Sequence, residues 1–181
     1  MTDTTISDAG IADSLAARAA AGDQLAFARL VTTHHASMAK VAYAIVGEVE
    51  AADDSVQIAW SVAWRRLRQL RDPNAVGPWL IAIAANEARQ AVRSRRRHPV
   101  VDLSTIAEPA GAGDPADRIA TVDLARVLQR LNADDRTLLA LRFVGGLDST
   151  EIARQLGMSA SGVRSRLARL IDRLRGELDR A

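Results

Sequence analysis

The sequence predicts an all-α protein of two small helical domains joined by a linker, and three observations lead there. Hydrophobic residues make up 48% of the 181 but aromatics only 3%. That balance suits packed helices rich in Ala and Leu, since sheets draw on aromatic and β-branched side chains. Apolar residues recur at spacings of three and four along most of the chain, the period of a helix with one buried face. Between two such regions, residues 98–115 (HPVVDLSTIAEPAGAGDP) carry three prolines, small residues and acids with no sustained period, the composition of an interdomain linker. The expected division is therefore a helical domain at 1–97, a linker at 98–115 and a second helical domain at 116–181.

In the first domain, Ile11, Leu15 and Ala19 start a helix that Gly22-Asp23 breaks, and Asp23 can cap the next. From Gln24 to about Gly47 the apolar stripe includes Leu30, Met38, Val41 and Ile45. His34 and His35 lie within it, but adjacent residues point to different helix faces and no partner stands at ligand spacing, so a metal site is not expected. One histidine should be partly buried and the other solvated. A third helix spans about Ala52 to Leu70, with Val56, Ala59, Trp60, Ala63 and Leu67 facing the core. Glu48, Glu50, Asp53 and Asp54 load its start with negative charge, where the helix dipole favours it. Arg71 to Pro78 reads as a loop, with its proline, asparagine and glycine punctuation. The helix after it buries Trp79, Ile83, Ala84 and Val92, and turns Asn86, Glu87, Arg89, Gln90 and Arg93 outward. Five arginines fall within its last nine residues: Arg89, Arg93, Arg95, Arg96 and Arg97. Offsetting the helix dipole needs fewer, and with Trp79 they suit a nucleic-acid strand.

The second domain resumes the helical period at Ile119, Val122, Leu124, Val127, Leu128 and Leu131. Residues 132–135 interrupt it, and Arg136 to Val144 reads as another short helix before Gly145-Gly146. Then comes LDSTEIARQLGMSASGVRSRLARLIDRLR (Leu147 to Arg175), a helix-turn-helix. Asp148 and Glu151 stand in capping-box positions, Gly157 marks the turn, and Ser159 can cap the second helix. Val163, Leu167, Leu170 and Leu174 recur on one face of that helix, leaving Arg164, Arg166, Arg169, Arg173 and Arg175 for the others. One basic amphipathic helix alone is commonly just a solvated surface; the caps and the glycine turn favour DNA binding.

The formal net charge of +2 hides a segregation along the chain. Residues 1–64 carry −5, 65–97 carry +7, 98–135 carry −4 and 136–181 carry +4. Two basic blocks separated by an acidic one imply two polyanion contacts. All but one of the 24 basic residues are arginine, the side chain suited to bidentate phosphate and guanine contacts. Cysteine is absent, which removes disulfides, thiolate metal sites and cysteine nucleophiles and suits a reducing cytoplasm. Neither a signal peptide nor an apolar run long enough to span a membrane is evident. No cofactor site, and no constellation of nucleophile or metal ligands for an enzyme acting on nucleic acid, is expected.

With these pieces in order, the chain resembles the bacterial RNA polymerase sigma factors of the extracytoplasmic-function (ECF) type. The likeness rests on LAARAAAGDQLAFARL (Leu15 to Leu30), ADDSVQIAWSVAW (Ala52 to Trp64), PWLIAIAANEARQAVRSRRR (Pro78 to Arg97) and the stretch from Arg136 to Arg175. The resemblance implies a sigma region 2 bundle followed by a sigma region 4 helix-turn-helix, with no enzymatic activity and a cytoplasmic location. It implies that Asp53, Asp54, Gln57 and Trp60 dock on the β′ clamp helices of core RNA polymerase. Asn74, Trp79, Asn86, Arg89, Gln90, Arg93 and Arg96 would capture and melt the minus-ten element. Ser161, Arg164, Ser165, Arg166 and Arg169 would read the minus-thirty-five element while the second domain meets the β flap. Members of the family are often held by an anti-sigma protein. The chain departs from the family pattern at Ala160, Ser161 and Gly162. A helix-turn-helix regulator acting on promoter DNA without polymerase is the alternative.

Overall fold

The computed structural model describes residues 15–97 and 130–178, and every regular element among them is helical. The start of the first expected helix, the linker and the resumption of the period at 116–129 lie outside the described residues. Helix α1 covers residues 15–20, and Asp23 then caps α2 (Gln24–Val46) by accepting the Ala26 amide at 3.0 Å. Gly47 closes α2 in the left-handed conformation that glycine adopts without a Cβ clash, and its N–H returns to the Tyr43 carbonyl.

Because that closure takes so few residues, α3 begins at Val49 rather than at Ala52 and runs to Arg66. Its end tightens into a 3-10 turn over Leu67–Gln69, where Arg68 donates to the Ala20 carbonyl at 3.1 Å and ties the turn to α1. The segment expected as a loop from Arg71 to Pro78 is shorter. Asp72 accepts the Asn74 amide, Pro73–Ala75 form another 3-10 turn, and α4 is already under way at Val76 and continues to Arg97. Helices α2, α3 and α4 pack on one another around Leu30, Met38, Val41, Ile45, Val56, Ala59 and Leu80.

In the second part, Asn132 caps α5 (Ala133–Leu139) by accepting the Asp135 amide. The expected helix from Arg136 to Val144 is not α-helical throughout: from Ala140 to Val144 it widens into a π turn. The Gly145 amide reaches the Ala140 carbonyl at 2.8 Å, and Arg142 Nη1 donates to the Leu147 carbonyl, so the wider turn still has backbone partners. It also brings Gly145 against α4, where a Cβ would stand 2.9 Å from Ile81 Cγ2 and 3.0 Å from the Leu141 carbonyl. Helices α6 (Ser149–Leu156) and α7 (Ala160–Leu178) follow as the helix-turn-helix.

The two sets of helices share one continuous apolar core. Leu131, Leu138, Leu141, Leu147, Ile152 and Val163 join the same cluster as the α2, α3 and α4 residues, with α5 and the π turn lying on α2 and α4. Arg136 crosses this seam: it is 3% exposed, and its Nη1 donates to the Ile45 carbonyl in the last turn of α2 at 2.6 Å. A guanidinium there satisfies a carbonyl that the helix end leaves without an intrahelical partner.

Candidate nucleic-acid interface

Helix α3 presents Asp53, Asp54 and Gln57 on an exposed face, because Ala52, Val56, Ala59 and Ala63 hold the opposite face in the core. Trp60 lies apart from them and is half-buried. Its ring meets Phe27 edge-on at 5.6 Å, and its indole donates to His35 Nδ1 at 3.3 Å, so it holds α3 to α2. His35 is exposed and His34 half-buried against Gly77. Among the described residues no group of three or more His, Asp or Glu could hold a metal ion.

Between α3 and α4 runs an open groove of ≈ 610 Å³ whose lining includes Asp54, Ser55, Ile58, Gln90, Arg93 and Arg95. It places the acidic face of α3 beside the basic face of α4. On α4, Asn86, Gln90 and Arg93 are exposed, Arg89 is half-buried, and Trp79 is partly buried against the core. Asn74 is exposed on the turn before the helix, and Arg96 lies in its last turn. The groove brings Gln90 and Arg93 close together, but Trp79 lies at the far end of the helix, on its packed side.

Arg89, Arg93 and Arg95 of α4 are engaged within the chain. Arg89 Nε donates to Asp134 Oδ1 at 2.5 Å, and Arg93 Nη2 reaches both oxygens of the same carboxylate, at 2.8 and 2.9 Å. Partial burial pushes the Asp134 carboxyl up, but the hydrogen bonds and charges of Arg89 and Arg93 outweigh it and hold the group below its usual range. Arg95 pairs with Glu48, the residue before α3.

The helix-turn-helix has the expected geometry. Asp148 accepts the Thr150 and Glu151 amides while Glu151 accepts the Asp148 amide, completing the capping box. The Glu151 amide, helped by that of Thr150, holds the Asp148 carboxyl below its usual range. Gly157 turns the chain at φ 65°, and Ser159 Oγ caps α7 by accepting the Gly162 amide at 3.0 Å. Val163, Leu167 and Leu170 are buried, so Ser161, Arg164, Ser165 and Arg169 share an exposed face. Arg166 turns inward instead: its Nε and Nη2 donate to Asp135 Oδ1 at 2.9 and 2.7 Å, and Arg173 reaches Oδ2 of the same carboxylate at 3.3 Å.

Residues 30–98 match the family model described as Sigma-70 region 2, and residues 121–174 the one described as Sigma-70, region 4. The ECF RNA polymerase sigma factor SigM of Mycobacterium tuberculosis is 33% identical over 167 residues, covering 90% of this chain and 82% of SigM. The chain belongs to the ECF sigma factors of RNA polymerase. The probable RNA polymerase sigma factor RfaY of Xanthomonas campestris pv. campestris is 36% identical over 168 residues, which are 88% of this chain but only 42% of that longer protein. Among solved structures, CnrH in complex with the cytosolic domain of CnrY superposes with a TM-score of 0.71 at 28% identity, covering 93% of this chain and 97% of that one.

This sigma factor therefore acts with RNA polymerase in transcription initiation, and a regulator independent of polymerase is not favoured. No helix among its described residues is long and apolar enough to cross a membrane. The sequence does not single out Asp134, Asp135 and Arg136: the two acids read as part of a helix break, and Arg136 as the start of the helix that follows it. The available signal was a pair of adjacent acids directly before an arginine.

Proposed function

We propose that this sigma factor works in the cytoplasm as a dissociable, non-catalytic subunit that grips a promoter at two points. Asp53, Asp54 and Gln57 dock on the β′ clamp helices of core polymerase through an exposed polar face that has no packing role. Trp60 contributes to that surface by fixing α3 against α2. Asn74, Asn86, Arg89, Gln90, Arg93 and Arg96 capture the non-template strand of the minus-ten element as the duplex opens. Phosphate contacts by arginines offset part of the few kcal/mol, roughly, that an unstacked base costs. Trp79 supports the start of that helix from its packed side.

Ser161, Arg164, Ser165 and Arg169 read the minus-thirty-five element from one face of α7, with the second domain against the β flap. The observation that carries this reading is the division of α7 between a buried Val163-Leu167-Leu170 stripe and an exposed face of arginines and serines. Arg166 serves that face by holding α7 onto Asp135. Because CnrH was solved with the cytosolic domain of CnrY, a protein partner that holds this chain inactive, an anti-sigma protein, belongs to the same proposal.

In vitro transcription with core polymerase and a randomised promoter library tests the reading. Transcripts that need the added chain and share two spaced sequence elements are expected. Absence of such transcripts, together with failure to retain the chain on core polymerase without DNA, would overturn it.

A further inference from the structure

The first turn of α5 carries three consecutive charged residues that reach three different elements. Asp134 takes Arg89 and Arg93 of α4, Asp135 takes Arg166 and Arg173 of α7, and Arg136 takes the last turn of α2. Beneath them Gly145 lies against Ile81, so the apolar seam and the ion pairs close the same contact. A carboxylate facing guanidinium groups presents the geometry that a phosphodiester would present to them. Arg89 and Arg93 stand in the middle of the basic face of α4, and both are held by this one side chain.

We infer that the docked arrangement is a self-inhibited state of the free chain, in which Asp134 occupies Arg89 and Arg93 in place of a nucleic-acid strand. The inference rests on the reading of α4 as the strand-capturing helix. Strand capture then requires displacement of Asp134, and the free chain binds single strands more weakly than its charge allows. The fraction of molecules with both arginines available sets the apparent affinity. Both pairs are partly open to solvent, and each such pair contributes no more than about five-fold. The lock is therefore strong enough to measure and weak enough for a strand presented by polymerase to displace.

The test uses the full chain and a fluorescein-labelled oligothymidine strand, with binding followed by anisotropy at low salt. Asp134→Ala and the near-isosteric Asp134→Asn should each tighten binding by about three- to ten-fold. Asp172→Asn changes the net charge equally at an exposed position away from the seam, and should leave the affinity within about two-fold. The gain should vanish when Arg89 and Arg93 are both replaced by alanine. Because an unfolded arginine-rich chain also attracts a polyanion at low salt, circular dichroism confirms the helical content of each variant. Unchanged or weaker binding by both Asp134 variants, or an equal gain in Asp172→Asn, would overturn the lock. Retention of each variant on core polymerase without DNA is scored in parallel: its loss in all forms, wild type included, would overturn the sigma-factor reading instead.

Discussion

Asp134 receives Arg93 through both carboxylate oxygens, at 2.8 and 2.9 Å, while Arg89 shares one of those oxygens. The next residue, Asp135, faces the other way and takes Arg166 and Arg173. Two adjacent acids thus govern the basic residues of two helices far apart in sequence, one in each half of the molecule. Being neighbours at the start of α5, they point to different faces and serve different ends. Asp134 closes the seam between the halves, and Asp135 seats the helix of the helix-turn-helix.

Arg164 and Arg166 should therefore behave differently despite lying two residues apart. Arg164→Ala should weaken binding to promoter duplex by about 1 to 3 kcal/mol where it contacts a base, with unfolding unchanged. Arg166→Ala should lower stability by about 1 to 2 kcal/mol, because it strips a buried carboxylate of its main donor. Urea unfolding and duplex anisotropy on the same two variants decide this; a stable Arg166→Ala that loses only DNA binding would return Arg166 to the DNA-reading set.

Gly145→Ala should destabilise the chain by about 1 to 3 kcal/mol through overpacking. Its new methyl group meets Ile81 Cγ2 at 2.9 Å and the Leu141 carbonyl at 3.0 Å, and neither is the free end of a flexible side chain. Thermal unfolding gives the loss, and in a double-mutant cycle Gly145→Ala should cost less in an Ile81→Ala background, where α4 has room, than in the wild type. An equal cost in both backgrounds would place the strain within the π turn alone.

Gly162→Ala should stabilise α7 by up to about 1 kcal/mol, the helix-propensity difference between the two residues. The added Cβ would stand 3.0 Å from Ser159 Oγ, which is an exposed hydroxyl able to shift by a few tenths of an ångström. A lower melting temperature would mean that the Ser159 cap cannot yield, and that glycine is kept here for the capping geometry.

The seam should respond to acid in a defined direction. The Asp134 carboxyl is lowered in the folded chain below its ordinary 3.8 by the combined action of Arg89 and Arg93. Its contribution is thus fully present above that ordinary value and is lost as pH falls through the lower folded-state value. The stability difference between the wild type and Asp134→Asn should be constant from neutral pH to about pH 5, then shrink towards zero in stronger acid. Unfolding midpoints measured across that range test it. A difference that persists undiminished below about pH 2.5 would show that the carboxylate charge is not what holds the pair.

The helix-turn-helix was legible because each of its signals is local. Asp148 and Glu151 cap within three residues, Gly157 turns the chain where a Cβ would be strained, and the Val163-Leu167-Leu170 stripe declares its buried face by period alone. The same holds for Asp23 and Gly47 at the ends of α2, and for His34 and His35, whose different exposures follow from adjacent positions on a helix. Where the reading fell short, the deciding contact was distant. Arg166 and Arg173 looked as available as Arg164 until Asp135 folded against them, and the period that turned Trp60 to the core did not name Phe27 and His35 as its partners.

The sequence by itself determined the all-α class, the caps and turns, the segregation of charge and the order of motifs that marks an ECF sigma factor. All of these depend on interactions within a few residues or on composition. The tertiary structure alone decided which arginines face outward and which are neutralised inside the molecule. Ion pairs and side-chain hydrogen bonds are set by distance in space, and the partners here, Asp134 with Arg89 and Arg93, Asp135 with Arg166, and Arg136 with the Ile45 carbonyl, are 31 to 91 residues apart in the chain. No period or spacing in the sequence records them.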